Sequence, residues 1–188
     1  MIFSYKTIHG ARKSPFYILT YDDISFLKNE IIRIGADISI FKFNDPRFRG
    51  TGYSDSLDVV ILKGNVLPDL TSGTTHPRDV MSPCAVIAHE YYGHRFYRNS
   101  PLPNDYWQDE YRASRNAAEI TPNLTDEERQ HLVMDALERK REAGINPVLD
   151  EFEKKILYGK FLLSRNDFIP SSIFVNKTKP NIDNNERK

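Results

Sequence analysis

His89, Glu90 and His94 follow directly on the apolar run Cys84-Ala85-Val86-Ile87-Ala88. Ser82 is a suitable N-cap and Pro83 fits the first helical position, where a missing N–H costs nothing. A helix that is apolar on every side is a buried helix. This one carries three ionisable groups into the interior within six positions, which is costly unless each finds a partner. A divalent metal held by the two imidazoles, with a carboxylate beside it, satisfies all three most economically.

The spacing departs from the common zinc signature His-Glu-x-x-His, whose histidines lie at i and i+4 on one helix face. Here the run is His89-Glu90-Tyr91-Tyr92-Gly93-His94, so the histidines are at i and i+5. On a regular α-helix, i+4 lies roughly 40° round the axis and i+5 roughly 140° round. One extra residue in the turn, a π-bulge, would bring both imidazoles to one side, and such bulges recur at functional sites. Gly93 is the residue best able to tolerate that distortion.

A second helix must supply the rest of the site. Asp105 caps a helix to about Glu119, whose buried stripe falls at Trp107, Glu110, Tyr111, Ser114, Ala117 and Ala118. Glu110 is the only charged residue on that face, which makes it the candidate third ligand. The competing readings are core histidines bonded to backbone carbonyls, Glu110 paired with a buried arginine such as Arg95, and Glu90 paired with His94 on a helix surface. Cys84, Tyr91 and Tyr92 read as packing residues.

His-Glu-x-x-Gly-His resembles the zinc motif of the dipeptidyl peptidase III family, metallopeptidases that use two His and one Glu. That family's third ligand lies in a later Glu-Glu-x-Arg-Ala stretch, and this chain has Asp109-Glu110-Tyr111-Arg112-Ala113, with Asp for the first Glu. The resemblance implies His89, His94 and Glu110 as zinc ligands, Glu90 as general base and Asp109 as a supporting residue behind a ligand. The gap from His94 to Glu110 is much shorter than in that large enzyme, so a shared site design is implied rather than membership. The longer stretch from Thr71 to Gly144 also resembles small metallopeptidase-like domains within large phage and mobile-element polyproteins.

Lysine and arginine number 26 and aspartate and glutamate 26, so bulk charge predicts neither a nucleic-acid nor a membrane-surface partner. The lone Cys84 excludes an internal disulfide and suits a reducing compartment. The N-terminus has no long apolar run, so no signal peptide or membrane span is expected. A cytoplasmic location follows, with delivery inside a larger system remaining compatible.

The other elements read as follows. Ile2–Ile8 and Phe16–Thr20 are expected strands. Asp22 or Asp23 caps a helix to about Ile34, closed by Gly35. Asp37–Phe43 is a half-buried strand, Asn44–Ser56 a loop, and Leu57–Leu62 a strand that either holds an extended peptide by edge pairing or is an ordinary sheet strand before a turn. Val66–Met81 is a long irregular connection, a kind that is often functional, and Asn99–Asn104 a short turn. Thr125 and Glu128 form a capping box for a helix to about Ala143, stopped by Gly144. Asn146-Pro147 begins another, to about Tyr158. From Asn176 the chain is polar and reads as a disordered tail.

The expected architecture is α+β and zincin-like: a small N-terminal sheet with one helix, then a helical half carrying the site, with residues 1–175 as the domain and 176–188 as the tail. The expected function is zinc-dependent hydrolysis of a peptide bond in a peptide or protein substrate. Zinc would polarise the carbonyl and acidify water, and Glu90 would pass the proton to the leaving amine. Tyr106, Tyr111 and His76 are candidate oxyanion donors, while His131 falls on the polar side of its helix. Two alternatives stand beside this. One is an inactive metal-stabilised interaction module of a phage or toxin system; the other is a zinc hydrolase of a non-peptide substrate.

Overall fold

The computed structural model describes residues 12–69, 76–100 and 106–162. The chain divides into a unit Met1–Leu157 and a second unit Tyr158–Lys188. The first is α+β and is described here. The expected strand Ile2–Ile8 and the tail from Asn176 lie outside the described residues.

Helix α1 (Tyr21–Arg33) opens with a capping box between Thr20 and Asp23, so that Thr20 is the N-cap in place of Asp22 or Asp23. It buries Leu27 and Ile31 and is closed by Gly35 at φ 68°. The preceding Phe16–Thr20 is not a strand. Its alternation is real, since Leu19 is buried while Phe16 and Ile18 are 84% and 74% exposed. The place of a partner strand is taken by the side-chain amide of Asn44, which accepts from Leu19 N at 2.8 Å and donates to Leu19 O at 2.9 Å.

Three short strands form the sheet: β1 (Phe41–Phe43), β2 (Gly52–Ser54) and β3 (Val59–Leu62). Their order is β1-β3-β2, with β1 parallel and β2 antiparallel to β3. The expected strand Asp37–Phe43 is shortened, because Asp37 caps a 3₁₀ turn at Ile38–Ile40. The expected strand Leu57–Leu62 also starts late, after a 3₁₀ turn at Asp55–Leu57 and a left-handed Asp58 at φ 47°. More consequentially, β3 is central and has no free edge for a peptide. Val60, Ile61 and Leu62 are almost fully buried, as a continuous apolar run in a central strand should be. The outer strand beside the site is β2, formed inside what the sequence suggested was a loop.

Arg12 fastens the chain entry to the 66–81 connection. Its guanidinium donates to the carbonyls of Val66, Arg78 and Met81 at 3.0, 3.3 and 2.7 Å. Within that connection Pro77–Val80 forms a single helical turn, α2. Helix α3 (Pro83–Ala88) then begins as the sequence indicates, with Ser82 Oγ accepting from Ala85 N and Pro83 at the first position. It runs into a π turn at His89–His94 and a 3₁₀ turn at Arg95–Tyr97. Helix α4 spans Tyr106–Ile120, and α5 spans Asp126–Glu142 behind the Thr125/Glu128 capping box. Helix α6 (Glu151–Leu162) starts later than Asn146-Pro147 predicts. Asp150 and Glu153 exchange side-chain bonds with each other's backbone N–H at 2.7 and 2.9 Å and so define its first turn. No helix among the described residues is long and apolar enough to cross a membrane.

Helix α3 lies at the centre of the core. Cys84, Ala85, Ile87 and Ala88 have no exposed surface. They share one apolar cluster with Leu27 and Ile31 of α1, Val60 and Leu62 of β3, Ala117 and Ala118 of α4, and Leu132 and Val133 of α5. The π turn is fastened from both sides. Tyr92 Oη donates to Ile34 O at 2.7 Å, and Tyr91 stacks on Phe41 with ring centroids 5.6 Å apart.

Gly93 is required by close approach. A Cβ there would lie 2.5 Å from Ala113 O and 2.8 Å from Ala113 C, both in the backbone of α4. Gly93→Ala should therefore push α4 off the turn and cost about 1–3 kcal/mol, as overpacking does. Gly52→Ala, whose Cβ would meet nothing within 4 Å, is the control and should stay within roughly 0.5 kcal/mol. Urea unfolding of both variants checks this, and equal stability would show that α4 does not rest on Gly93.

Candidate metal centre

The π turn brings both imidazoles to one point. His89 Nε2 and His94 Nε2 are 3.0 Å apart. From α4, Glu110 presents Oε2 at 3.4 Å from His89 Nε2 and Oε1 at 3.4 Å from His94 Nε2. Four ligands about 2.0–2.1 Å from a tetrahedral zinc lie about 3.3 Å from one another, so these separations suit one shared ion. Two imidazole nitrogens and a carboxylate are also a donor set that zinc favours.

The groups behind the ligands fix which nitrogen carries the proton. Ser114 Oγ lies 2.8 Å from His89 Nδ1 and directs its own proton to Asp135 Oδ2 at 2.6 Å. It must therefore accept from His89 Nδ1–H, which leaves a lone pair on Nε2. Asp109 Oδ2 is 3.1 Å from His94 Nδ1 and accepts from it in the same way. Arg112 Nη2 holds the other Asp109 oxygen at 2.6 Å. The hydrogen bond from His94, helped by Arg112, lowers the Asp109 pKa. Two nitrogen lone pairs and a carboxylate thus converge on one buried point, and such an arrangement demands a cation.

In the metal-free chain a proton fills that role. Burial alone would lower the His94 pKa, but hydrogen bonds to Asp109 and Glu110 and the nearby Glu90 charge outweigh it and raise it from 6.5 to about 10. Burial would raise that of Glu110. The histidines and the charge of Arg139, close around it, instead hold it far below the usual carboxylate range.

These groups open into a cleft of about 540 Å³ lined also by Glu90, Asp109, Gly52, Tyr53, Arg78 and Arg139. Glu90 is partly exposed there. No hydrogen bond or ion pair occupies its carboxylate among the described residues, so it does not pair with His94. Of the suggested oxyanion donors, Tyr111 spends its hydroxyl on Glu153 at 3.0 Å and does not line the cleft. His76 is likewise absent from the lining and lies 3.6 Å from Glu142, and His131 is also outside it. The side chain of Tyr106 is outside the described residues. Tyr53 does line the cleft, on β2. Burial, then the hydrogen bond its hydroxyl donates to Asp58 at 3.0 Å, pushes its pKa up to about 12, so its proton is held by Asp58 as that of Tyr111 is by Glu153.

An arginine does meet Glu110, but it is Arg139 of α5, with Nη2 at 3.0 Å from Oε2. Arg95 is instead bound to Asp58 at 2.8 and 3.0 Å. The sequence carried an overlooked signal for the α5 contribution: Asp135 interrupts Leu132-Val133-Met134 and Ala136-Leu137, as Glu110 interrupts the stripe of α4. A second group, Glu30, Cys84 and Glu128, also draws close enough to share an ion. There the cation is already supplied, since Arg33 Nη2 lies 2.6 Å from Glu30 and 2.7 Å from Glu128. Burial pushes the Cys84 thiol far up, which keeps it protonated.

Zinc uptake near pH 7.5 should release about one proton per ion, because it replaces the proton on His94. Calorimetry in buffers of different ionisation enthalpy measures this, and zero release would contradict the assigned protonation. Because the folded pKa of His94 is raised, its contribution to stability without metal is complete below about 6.5 and fades as pH climbs through about 10. Urea unfolding of chelator-treated protein should weaken across that window. No protein-family model, curated protein or solved structure matches the chain, so the reading of this centre rests on its own geometry.

Proposed function

We propose that the protein is a zinc-dependent peptidase of zincin-like build, with His89, His94 and Glu110 as metal ligands and Glu90 as general base. One observation carries this reading: three ligand side chains with donor atoms 3.0–3.4 Å apart share an open cleft with a carboxylate, adjacent in sequence to the first ligand, that has no hydrogen bond or ion pair among the described residues. The i, i+5 histidines in a π turn, with Asp109 on His94, also support a site design like that of dipeptidyl peptidase III.

A bound zinc would polarise a scissile carbonyl and make water acidic enough to attack at neutral pH. Glu90 would take the proton of the attacking water and carry it to the departing amine. Its carboxylate has no other partner among the described residues, which leaves it ready to do so. Strand β2, which carries Tyr53, is hydrogen-bonded on one side to β3. An extended peptide laid along its other edge would continue the sheet and run past His89 and Glu90. That edge is what favours a peptide over a non-peptide substrate.

Glu90→Gln and Glu110→Ala should fail in different ways. The first should keep its zinc and its fold while cleavage of a peptide library falls about 10²–10⁴-fold. The second loses a ligand and leaves Arg139 facing a cavity, so zinc affinity and melting temperature should both drop. Full zinc affinity in Glu110→Ala would remove Glu110 from the ligand set. Cleavage by Glu90→Gln at the parental rate would remove Glu90 from catalysis. A parent that holds zinc firmly yet cleaves nothing would favour the metal-stabilised interaction module.

A further inference from the structure

We propose that Asp135 is the positioning residue for the metal centre, aligning two of its three ligands at once through a closed ring of contacts; this rests on the metal reading above. From Asp135 Oδ2 the ring runs to Ser114 Oγ at 2.6 Å and on to His89 Nδ1 at 2.8 Å. From the other side, Arg139 Nε lies 3.4 Å from Asp135, and Arg139 Nη2 reaches Glu110 Oε2 at 3.0 Å. His89 Nε2 and Glu110 Oε2, 3.4 Å apart, close it.

The ring follows from two helical repeats facing each other. Glu110 and Ser114 are four apart on α4, and Asp135 and Arg139 are four apart on α5, so each pair shares one helix face. Asp135 has no exposed surface, and a carboxylate so buried is expensive unless every oxygen is engaged. Oδ1 accepts no hydrogen bond among the described residues and is met only by the charges of Arg78 Nε at 3.5 Å and Arg139 Nε at 3.4 Å. The expense has a purpose if the carboxylate orients the ligands. Asp135 accepts the Ser114 proton, which obliges Ser114 to accept from His89 and leaves Nε2 free for the ion. The same carboxylate anchors Arg139, whose far end sets the plane of the Glu110 carboxylate. A residue behind a ligand that fixes its tautomer and orientation typically contributes 10–100-fold to metal affinity.

The test compares Ser114→Ala and Asp135→Asn with the parent, using Thr121→Val as the control, a buried hydroxyl that has no hydrogen-bond partner among the described residues. Two quantities are read: zinc affinity by chelator competition, and the ¹⁵N shifts of the His89 ring in metal-free protein. Ser114→Ala should weaken zinc about 10–100-fold and shift His89 away from the Nδ1–H tautomer. Asp135→Asn should weaken zinc further, because it also frees Arg139 from Glu110. Thr121→Val should alter stability alone. Zinc affinity within twofold of the parent in Ser114→Ala, or an unchanged His89 tautomer, would overturn the proposal. If Asp135→Asn does not fold, Ser114→Ala, which removes only one hydroxyl, decides it. If the parent takes no zinc, the metal reading falls, and the His89 tautomer in the metal-free variants still decides whether the ring positions that ring nitrogen.

Discussion

Two imidazole nitrogens facing each other at 3.0 Å inside a protein cannot both be lone pairs without a cation between or upon them. Much of the architecture follows from sustaining that contact. Histidines five apart reach each other only where the helix is wound as a π turn, and His89–His94 is such a turn. A π turn lacks the regular α-helical bonding and needs external support. Here Tyr92 bonds the end of α1, Tyr91 stacks on β1, and α3 beneath is sealed into the core. Helix α4 must lie against the turn to deliver Glu110, and a Cβ at position 93 would forbid it.

The same constraint governs the buried charges. Glu110, Asp135 and Arg139 are all withdrawn from water, and isolated they would be untenable. They are tolerable because each has an opposite charge within 3.0–3.4 Å. The charged residues Arg12, Arg78 and Asp79 surround the same cleft. The cleft is thus a polar seam between α3, α4, α5 and β2, bordered by an apolar core on its far side. Such a seam is poor material for stability alone, since apolar side chains of similar volume would serve as well or better. That argues for a site rather than for a structural strut.

The parts of this arrangement that were legible in the sequence are those whose signal is local. Ser82-Pro83, the apolar run and the i, i+5 spacing indicated the buried helix and its π turn. The stripe of α4 singled out Glu110, and Thr125 with Glu128 marked the start of α5. What escaped depends on register between distant segments. Arg139 rather than Arg95 meets Glu110 because of how α4 and α5 align, which no single-helix pattern encodes. Strand β2 has only three residues in a glycine-containing stretch, too short for periodicity to register. Of the two readings of Leu57–Leu62, the ordinary sheet strand holds and the peptide-holding edge does not; its unbroken apolar end, Val59–Leu62, is the mark of a strand covered on both faces. Phe16–Thr20 alternates as a strand should, but Asn44 supplies a side chain where a neighbouring backbone was expected.

The central claim is that zinc sits among His89, His94 and Glu110, and its coordination shell reports on that directly. X-ray absorption at the zinc edge of the stoichiometrically loaded protein should show only nitrogen and oxygen neighbours at about 2.0–2.2 Å, with the outer-shell pattern of two imidazoles. The rival cluster at Glu30 and Glu128 contains Cys84, so zinc lodged there would show a sulfur at about 2.3 Å. A sulfur neighbour, or a shell without imidazole, would contradict the account.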